Sequence, residues 1–286
     1  MTYSFKTPED DTKILKFLYH TAVGRIILKV LCAPALSKIS GAFLSSVFSK
    51  PLISPFIRKN NIDMSEYVSD GFRCFNDCFT RKIRDGARPV ELSPAALISP
   101  CDAYLSAYHI SDDTVLSIKH SRLSIEKLLE SESAAEAFGG GICLVFRLCV
   151  NHYHRYCCFD NGKILYNKFS KGVLHTVRPI ALDSVPVFNI NSREITVFDT
   201  ENFGRAAQVE VGAMLVGKIK NYKTEGSVKR GEEKGMFLYG GSTIVLLLEK
   251  GRADIDKEIF DASARGLELP VKLGEKIGSA KQPLRS

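Results

Sequence analysis

The residues with the clearest chemical potential form a short run in the last quarter of the chain, Gly240-Gly241-Ser242-Thr243. Glycines allow positive backbone φ angles and a close approach of other groups, so a serine directly after them can lie on a tight turn. Its hydroxyl is then near the carbonyl of the preceding residue. The pattern permits attack of the Ser242 hydroxyl on the Gly241 carbonyl, although these four residues alone are also typical of a simple hairpin turn.

Two histidines and an aspartate earlier in the chain are the other candidates for acid-base chemistry. His152 and His154 are two residues apart and would face the same side of an extended strand. Such a pair can bind a metal, but no third ligand with suitable spacing is found in the sequence, so no metal site is predicted. Asp102 follows Pro100 by two residues, a place where aspartate is also common in ordinary turns.

The elements that must hold these residues change character near residue 90. From Ala96 onward, short runs of β-forming residues alternate with turn residues, and only the stretch from Ser124 to Phe138 is predicted to be helical. The prediction is an α+β fold. Residues 1–90 form a basic amphipathic helical region, and residues 91–286 form a mainly antiparallel β body that carries the candidate residues.

The helical region is strongly basic. Residues 12–60 contain eight Lys and Arg and no Asp or Glu, so the remainder of this +7 chain is close to neutral. Apolar residues recur there at helical spacing, and a second helical stretch is predicted from Asp63 to Arg84. No uncharged apolar run reaches the roughly 18 to 20 residues of a spanning helix. The segment is predicted to lie on an anionic membrane surface; packing of its apolar face on the body is the alternative, and both can hold at once.

Four motifs together resemble one enzyme family. The stretch from Lys234 to Val245 is similar to the glycine-serine-threonine cleavage motif of the prokaryotic-type phosphatidylserine decarboxylases. Three further segments occur in the same order as in the family: Ser99-Pro100-Cys101-Asp102-Ala103, Tyr153-His154-Arg155 and Val211-Gly212-Ala213-Met214-Leu215-Val216-Gly217. In addition, a Phe-rich segment from Phe75 to Arg81 resembles the first helix of the family.

The resemblance implies a proenzyme that cuts itself between Gly241 and Ser242. Ser242 would become a covalent pyruvoyl cofactor, with His154 as the base and Asp102 as the residue that orients it. The products would be a beta chain, residues 1–241, and an alpha chain, residues 242–286, which remain together as a heterodimer. The pyruvoyl group would form a Schiff base with phosphatidylserine and yield phosphatidylethanolamine, a step of phospholipid biosynthesis.

The sequence departs from the family pattern beside His154. Family members often carry a second histidine shortly after Tyr-His-Arg, where this chain has Cys157 and Cys158. Either His154 alone activates Ser242 or Cys157 also takes part in its activation. His154 is favoured, because a neutral imidazole is a competent base at neutral pH whereas a thiol is mostly protonated there. A second departure, Ala103 in place of glycine, keeps a small residue next to Asp102.

Three residues near the motifs are predicted to play supporting parts. His175 falls in a segment that the family uses to line its site, so it is a candidate for substrate contact. Arg155 and Arg178 are the basic residues nearest the motifs and are candidates for binding the lipid phosphate. Arg155 is equally suited to a structural bond with Asp102 or with the backbone.

The expected partners are phosphatidylserine and an anionic membrane surface, not nucleic acid, because the positive charge is confined to the apolar arm. Eight cysteines without zinc-site spacing and without a preceding secretory signal predict reduced thiols. The expected location is the cell membrane, peripheral and on the cytoplasmic side. Two alternatives stay open: a pyruvoyl decarboxylase for another serine-bearing lipid or amino acid, and a non-cleaving β-rich lipid-binding module.

Overall fold

The structure of the chain, a computed structural model, describes residues 3–7, 12–69, 71–118, 121–214, 218–239 and 242–281. Gly241, the residue predicted to precede the cut, lies outside these residues together with Gly240. The last three residues of the Val-Gly-Ala-Met motif, Leu215, Val216 and Gly217, also lie outside them. Ser242, Asp102 and His154 are all described.

The N-terminal part of the described chain is helical, as predicted. Thr12 and Thr21 cap the first two helices, because their side chains accept hydrogen bonds from Leu15 N and Gly24 N. The second helical stretch, predicted from Asp63 to Arg84, is helical in only two short pieces among the residues described there. The helices are α1 (Lys13–His20), α2 (Ala22–Leu31), α3 (Pro34–Leu44), α4 (Ile53–Lys59) and α5 (Phe75–Phe79), with 3-10 helices at Val47–Leu52 and Met64–Glu66.

The body is rich in strands. In its first part the elements are β1 (Ala96–Ile98), β2 (Ala103–His109), β3 (Val115–Ile118), β4 (Ser121–Ser124), α6 (Ile125–Leu129), α7 (Glu132–Glu136), β5 (Ile142–Leu148), β6 (Arg155–Cys157) and β7 (Gly162–Ser170). The second part contains α8 (Pro179–Leu182), α9 (Val187–Ile190), β8 (Arg193–Thr200), β9 (Gly204–Val211), β10 (Lys218–Asn221), β11 (Gly226–Val228), β12 (Glu233–Leu238), β13 (Ser242–Leu248), β14 (Ala253–Ile255), α10 (Lys257–Ala264), β15 (Leu269–Val271) and β16 (Lys276–Ala280). The α+β prediction is confirmed, but helices α8, α9 and α10 were not predicted.

The largest sheet that the described residues form has eight strands in the order β11-β7-β8-β9-β13-β5-β2-β15, with antiparallel pairing. Strand β13 lies near its centre, hydrogen-bonded to β9 on one side and β5 on the other. All seven residues of β13 are buried, in keeping with a nearly continuous apolar run. The strand that begins at Ser242 is therefore an interior element of the protein.

Each face of this sheet has its own hydrophobic core. One face packs against α1 and α2 of the N-terminal arm, which we define as residues 12–60, and against α6 to α9; Val245 and Leu247 point to this side. The other face, which includes Ile244 and Leu246, packs against the small sheets β10-β12-β6 and β1-β16-β14 and against α10. Because side chains alternate along a strand, Ser242 belongs to the face of Ile244 and Leu246.

The two strands that flank the Gly-Gly-Ser-Thr run do not form a hairpin. Strand β12, which ends at Leu238, pairs with β10 and β6, whereas β13 pairs with β9 and β5. The chain passes from the small sheet to the large sheet between Leu238 and Ser242. The reading of this run as a simple hairpin turn is thus wrong.

No individual helix within the described part of the chain has the length and apolar character needed to cross a membrane. Helices α2 and α3 together meet those criteria, but the chain bends by 58° between them.

Candidate active site

Ser242 is the first residue of β13, and its position is set by both neighbouring strands. It is directly opposite Leu148 of β5, and the next residue, Thr243, is opposite Val211 of β9. Ser242 has no solvent exposure, and its Oγ has no hydrogen-bond partner among the described residues. A buried hydroxyl without a partner is uncommon, because it has lost its hydrogen bonds to water. Within the described part of the chain, the Ser242 hydroxyl is therefore both buried and without a hydrogen bond.

His154 lies just before β6, in the layer that covers the Ser242 face of the sheet. The residue is fully buried, and its carbonyl oxygen accepts a hydrogen bond from Phe237 N of β12. Its Nδ1 is 2.9 Å from the carbonyl oxygen of His152. A carbonyl oxygen can only accept, so Nδ1 carries the proton and the lone pair of the neutral ring is on Nε2.

An aromatic contact links His154 to the segment that leads into Ser242. The ring of Phe79 is 4.0 Å from the His154 ring and 5.7 Å from the Tyr239 ring, measured between centroids. Tyr239 also meets Phe75 edge-on at 5.2 Å. The backbone of Tyr239 has φ of 49°, in the left-handed region that residues other than glycine rarely occupy. Packing of its ring by α5 therefore holds a strained residue three positions before Ser242.

Asp102 lies at the start of β2 with its charge fully engaged. Its carboxylate accepts bonds from Arg88 Nε and Nη2, the shortest at 2.7 Å, and from Leu273 N at 2.9 Å. Arg88 also pairs with Glu66 at 2.9 Å. Among the described residues, no hydrogen bond joins Asp102 to His154 or Ser242. The structure thus brings His154 close to the segment before Ser242 and keeps Asp102 in a separate ion-pair cluster.

His152 connects these two groups. Its Nδ1 accepts a hydrogen bond from Cys149 N at 3.1 Å, which requires a lone pair on that nitrogen. Burial lowers the pKa of His152 to about 4, and the charge of Asp102 opposes that shift. The residue is therefore a neutral structural support whose carbonyl holds His154.

The structure places Cys157 and Arg155 in structural positions. Burial raises the pKa of the Cys157 thiol, chiefly by desolvation, so the thiol is neutral at physiological pH. Cys157 N donates to the Pro100 carbonyl, which ties β6 to the segment before Asp102. Arg155 donates to the Thr80 carbonyl at 2.8 Å and pairs with Glu233 at 2.7 Å. These bonds fix α5 and β12 to β6.

His175 joins the body to the N-terminal arm. Its Nδ1 is 3.1 Å from the hydroxyl of Tyr19 in α1 and 3.5 Å from the sulfur of Cys32, the C-cap residue that follows α2. Desolvation lowers the pKa of His175. The Asn191 side chain accepts a hydrogen bond from His175 N and donates to the carbonyls of His175 and Gly212. Gly212 directly follows Val211, the residue of β9 that is opposite Thr243.

Three buried charged side chains near the site were not predicted. The Arg81 guanidinium donates to the Asn151 and His152 carbonyls and so positions the loop before His154. Lys234 of β12 and Glu210 of β9 form a fully buried ion pair with two contacts of 2.8 Å. The sequence contained a signal for each of them. Arg81 comes just after a Phe-rich segment, and Lys234 and Glu210 are charged residues in strands that are otherwise largely apolar.

Most of the chain is similar to known proteins of one family. The family model for phosphatidylserine decarboxylase matches residues 75–279. The chain is 45% identical over 265 residues to phosphatidylserine decarboxylase proenzyme 2 of Clostridium acetobutylicum, covering 92% of this chain and 91% of that protein. It is 40% identical over 275 residues to a phosphatidylserine decarboxylase proenzyme of Clostridium botulinum, covering 94% and 93%. A proenzyme of the same description from Clostridium perfringens is 40% identical over 272 residues, covering 93% and 92%.

Proposed function

The chain belongs to the phosphatidylserine decarboxylase family, and we propose that it converts phosphatidylserine to phosphatidylethanolamine with a pyruvoyl group made from its own Ser242. It is an enzyme of the carboxy-lyase type, and the word proenzyme in the names of its relatives agrees with a chain that must be processed. The observation that carries the cofactor assignment is the buried Ser242 hydroxyl, for which the described residues supply no hydrogen-bond partner. Such a group fits a nucleophile whose target is its own backbone.

Self-cleavage at this serine needs only the chain itself. The Ser242 hydroxyl gives its proton to the base and its oxygen bonds to the Gly241 carbonyl carbon. The peptide C–N bond then breaks and the nitrogen takes up that proton, which leaves an ester and a free amine on Ser242. Loss of the Ser242 α-proton then breaks the ester C–O bond and releases the Gly241 carboxylate. The dehydrated residue takes up water and loses ammonia, which leaves the pyruvoyl group on the alpha chain, residues 242–286.

His154 is the proposed base for the first proton transfer. Its Nδ1 hydrogen is fixed on the His152 carbonyl, so the basic nitrogen is Nε2. We assign Asp102 an indirect part: with Arg88 it fixes the backbone at Leu273, and its negative charge acts on His152. Cys157, His175 and Arg155 support the site through the contacts described above.

When formed, the pyruvoyl group supplies a ketone that accepts the electron pair left by the departing carboxylate. The chain contributes a buried β13 terminus at a fixed place in the large sheet, which keeps water away. It also contributes a protonated group, for which we propose His154, to return a proton to the carbon that lost carbon dioxide.

The substrate is a membrane lipid, and the N-terminal arm is suited to meet it. One side of the arm is packed on the body through residues such as Leu18 and Leu28. The other side leaves large apolar side chains in solvent, among them Ile26 at 70% and Phe48 at 80% exposure. Exposed apolar groups beside an excess of Lys and Arg favour an anionic bilayer surface. We therefore propose a peripheral enzyme on the cytoplasmic side of the cell membrane.

The proposal is tested by release of labelled carbon dioxide from carboxyl-labelled phosphatidylserine in detergent micelles. Wild-type protein is expected to release the label, and Ser242→Ala to be slower by about a thousandfold or more, since the cofactor cannot form. Ser227→Ala, at an exposed serine of β11, is the control and should match wild type. Equal release by wild type and Ser242→Ala would rule out the pyruvoyl mechanism. No release by a self-cleaved wild type would favour another serine-bearing lipid or an amino acid as the substrate.

A further inference from the structure

A buried polar cluster lies between the large sheet and the small sheet β10-β12-β6. At its centre, Lys234 Nζ of β12 is 2.8 Å from each carboxylate oxygen of Glu210 in β9, and neither side chain has any solvent exposure. The same carboxylate accepts hydrogen bonds from Gln208 Nε2 at 2.9 Å and from Asn221 Nδ2 at 3.1 Å. One carboxylate therefore joins strands of both sheets.

On the small sheet, the cluster rests on a row of three residues that are opposite one another. These residues are Asn221 of β10, Gly235 of β12 and Tyr156 of β6. Tyr156 donates its hydroxyl hydrogen to Asn221 Oδ1 at 2.8 Å, and Lys234 Nζ is 5.8 Å from the centroid of the Tyr156 ring. A Cβ atom on Gly235 would lie 2.4 Å from the Lys220 carbonyl oxygen and 2.8 Å from the Tyr156 hydroxyl. The row is thus closely packed and fixed by directional bonds.

The reacting residues occupy the neighbouring row in each sheet. In the large sheet, Glu210 is opposite Ile244 of β13, and Ser242 precedes Ile244 by two residues on the same face. In the small sheet, Phe237 N donates to the His154 carbonyl, in the row next to the one described above. A step of two residues along a strand is about 7 Å. The cluster is therefore one such step from Ser242 and one from His154.

The ion pair also ties together the two strands that flank the proposed cut. Lys234 belongs to β12, which ends at Leu238, and Glu210 belongs to β9, which is hydrogen-bonded to the strand that starts at Ser242. The chain crosses from one sheet to the other in the interval between Leu238 and Ser242. The pair consequently sets the spacing that this segment must bridge. Both partners lie within residues 1–241, so the tie persists after the cut.

Stability alone gives no reason for a charged pair at this place. Two buried charges lose their hydration, and apolar residues of similar volume in their place often give an equally stable or more stable protein. Phe237 of the small sheet and Ile244 of the large sheet already belong to one shared apolar core. A carboxylate with four hydrogen bonds adds what apolar contacts lack, a single arrangement of the two sheets.

We infer that Lys234 and Glu210 are positioning residues for the chemistry at residue 242. They fix the small sheet over the large sheet, and so hold His154 at the distance from Ser242 that proton transfer requires. The inference rests on the proposed function. Its expected size is large, because a misplacement of about 1 Å between reacting groups can slow a reaction by about a hundredfold.

The test uses Glu210→Gln/Lys234→Met, which removes both charges together and leaves no charge buried alone. A glutamine keeps an oxygen that can accept from Gln208 and Asn221. Self-cleavage is expected to slow by about tenfold or more. In the protein that has been cut, kcat per cut chain should fall by about tenfold or more, with the KM for phosphatidylserine in neutral-detergent micelles within about twofold. The proton transfers depend on the spacing of the sheets, whereas lipid binding does not.

The matched control is Asp160→Asn/Arg230→Met, which removes another buried ion pair, with a contact of 2.7 Å. Asp160 accepts hydrogen bonds from Asn202, in the turn that precedes β9 and hence at the opposite end of that strand from Glu210. The melting temperature of this control should fall at least as far as that of Glu210→Gln/Lys234→Met. Its self-cleavage rate and kcat should nevertheless stay within about threefold of wild type.

Three results would overturn the inference. The first is a Glu210→Gln/Lys234→Met protein that cuts itself and turns over like wild type. The second is an equal loss of rate in the control. The third is a melting temperature that falls further than in the control, which would assign the pair to stability alone. A wild type that fails to self-cleave would instead count against the proposed function.

Discussion

At the scale of single residues, the central question is which side chain takes the proton from Ser242. His154 has its Nδ1 hydrogen fixed on a carbonyl, which leaves a basic nitrogen on the other side of a fully buried ring. Cys157, three residues later, is a thiol whose pKa burial raises. The two therefore differ in their ability to act as a base at neutral pH, and His154 is the better candidate.

We predict that His154→Gln slows self-cleavage by about a hundredfold or more, the usual contribution of a general base. Cys157→Ser, which keeps size and polarity, should change the rate by less than about threefold. The measurement is the fraction of cut chain over time on a denaturing gel after rapid synthesis. A severe defect in Cys157→Ser with normal cleavage in His154→Gln would reverse the assignment.

A second prediction at this scale concerns acid pH. The folded protein keeps His152 neutral down to its pKa of about 4, whereas the unfolded chain binds a proton near 6.5. Between about pH 6.5 and pH 4 the unfolded state binds more protons at this histidine than the folded state does. The contribution of His152 to the free energy of unfolding is therefore complete above about pH 6.5 and is lost as the pH falls toward 4. Protonation also removes the acceptor for Cys149 N and disturbs the loop before His154.

The melting temperature of His152→Gln should accordingly depend less on pH between about 6.5 and 4 than that of wild type. His20→Gln, which changes an exposed histidine of α1, serves as the control and should keep the wild-type profile. Identical profiles for His152→Gln and wild type would show that His152 is not the titrating group.

At the scale of elements, the pairing of β13 would hold the two products of the proposed cleavage together. The strand is hydrogen-bonded on both sides to strands of the beta chain, and β15 and β16 of the alpha chain pair with β2 and β1. A buried bidentate ion pair, Arg147 with Glu268, also joins the two sides of the proposed cut, with contacts of 2.6 and 3.1 Å. We expect the cut protein to remain a tight heterodimer.

Glu268→Gln tests that expectation, because it leaves Arg147 without its charged partner. We predict that the free energy of dissociating and unfolding the heterodimer in urea falls by about 3 kcal/mol. Asp112→Asn removes the exposed pair with Lys250, at 3.8 Å, which also crosses the cut, and should cost less than about 1 kcal/mol. Equal effects of the two variants would contradict the role given to the buried pair.

Local patterns in the sequence predicted the elements better than their pairing. The strands before and after Ser242 follow from apolar runs, but their assignment to two different sheets depends on contacts with β9 and β6, which no local pattern specifies. Helix α10 was missed because its capping residue, Asp256, lies in a polar stretch that also fits a loop. Ser242 and His154 were predicted from motifs and stay predictions, whereas the Arg88 to Asp102 pair depends on contacts that no local pattern specifies.

At the scale of the whole molecule, the arm is expected to determine membrane attachment. We predict that wild type floats with anionic phosphatidylglycerol vesicles and much less with neutral phosphatidylcholine vesicles. Ile26→Glu/Val30→Glu, at two exposed positions of α2, should weaken binding to anionic vesicles by about tenfold or more, since it removes apolar contact and adds negative charge.

Leu165→Glu/Phe169→Glu makes the same change in charge at exposed apolar residues of β7 and is the matched control. It should bind vesicles like wild type. If both variants lose binding equally, net charge and not the arm surface controls attachment. If neither loses binding, the arm serves only to pack on the body.

The most direct test of the account is the intact mass of freshly expressed protein, with Ser242→Ala measured beside it. We predict two wild-type chains, a large one that ends at Gly241 and a small one of 45 residues from position 242 to Ser286. The small chain should be lighter than its encoded mass by one ammonia, and Ser242→Ala should remain a single chain of about 31.7 kDa. An uncut wild type, or a small chain that begins with an unmodified serine, would contradict the pyruvoyl mechanism.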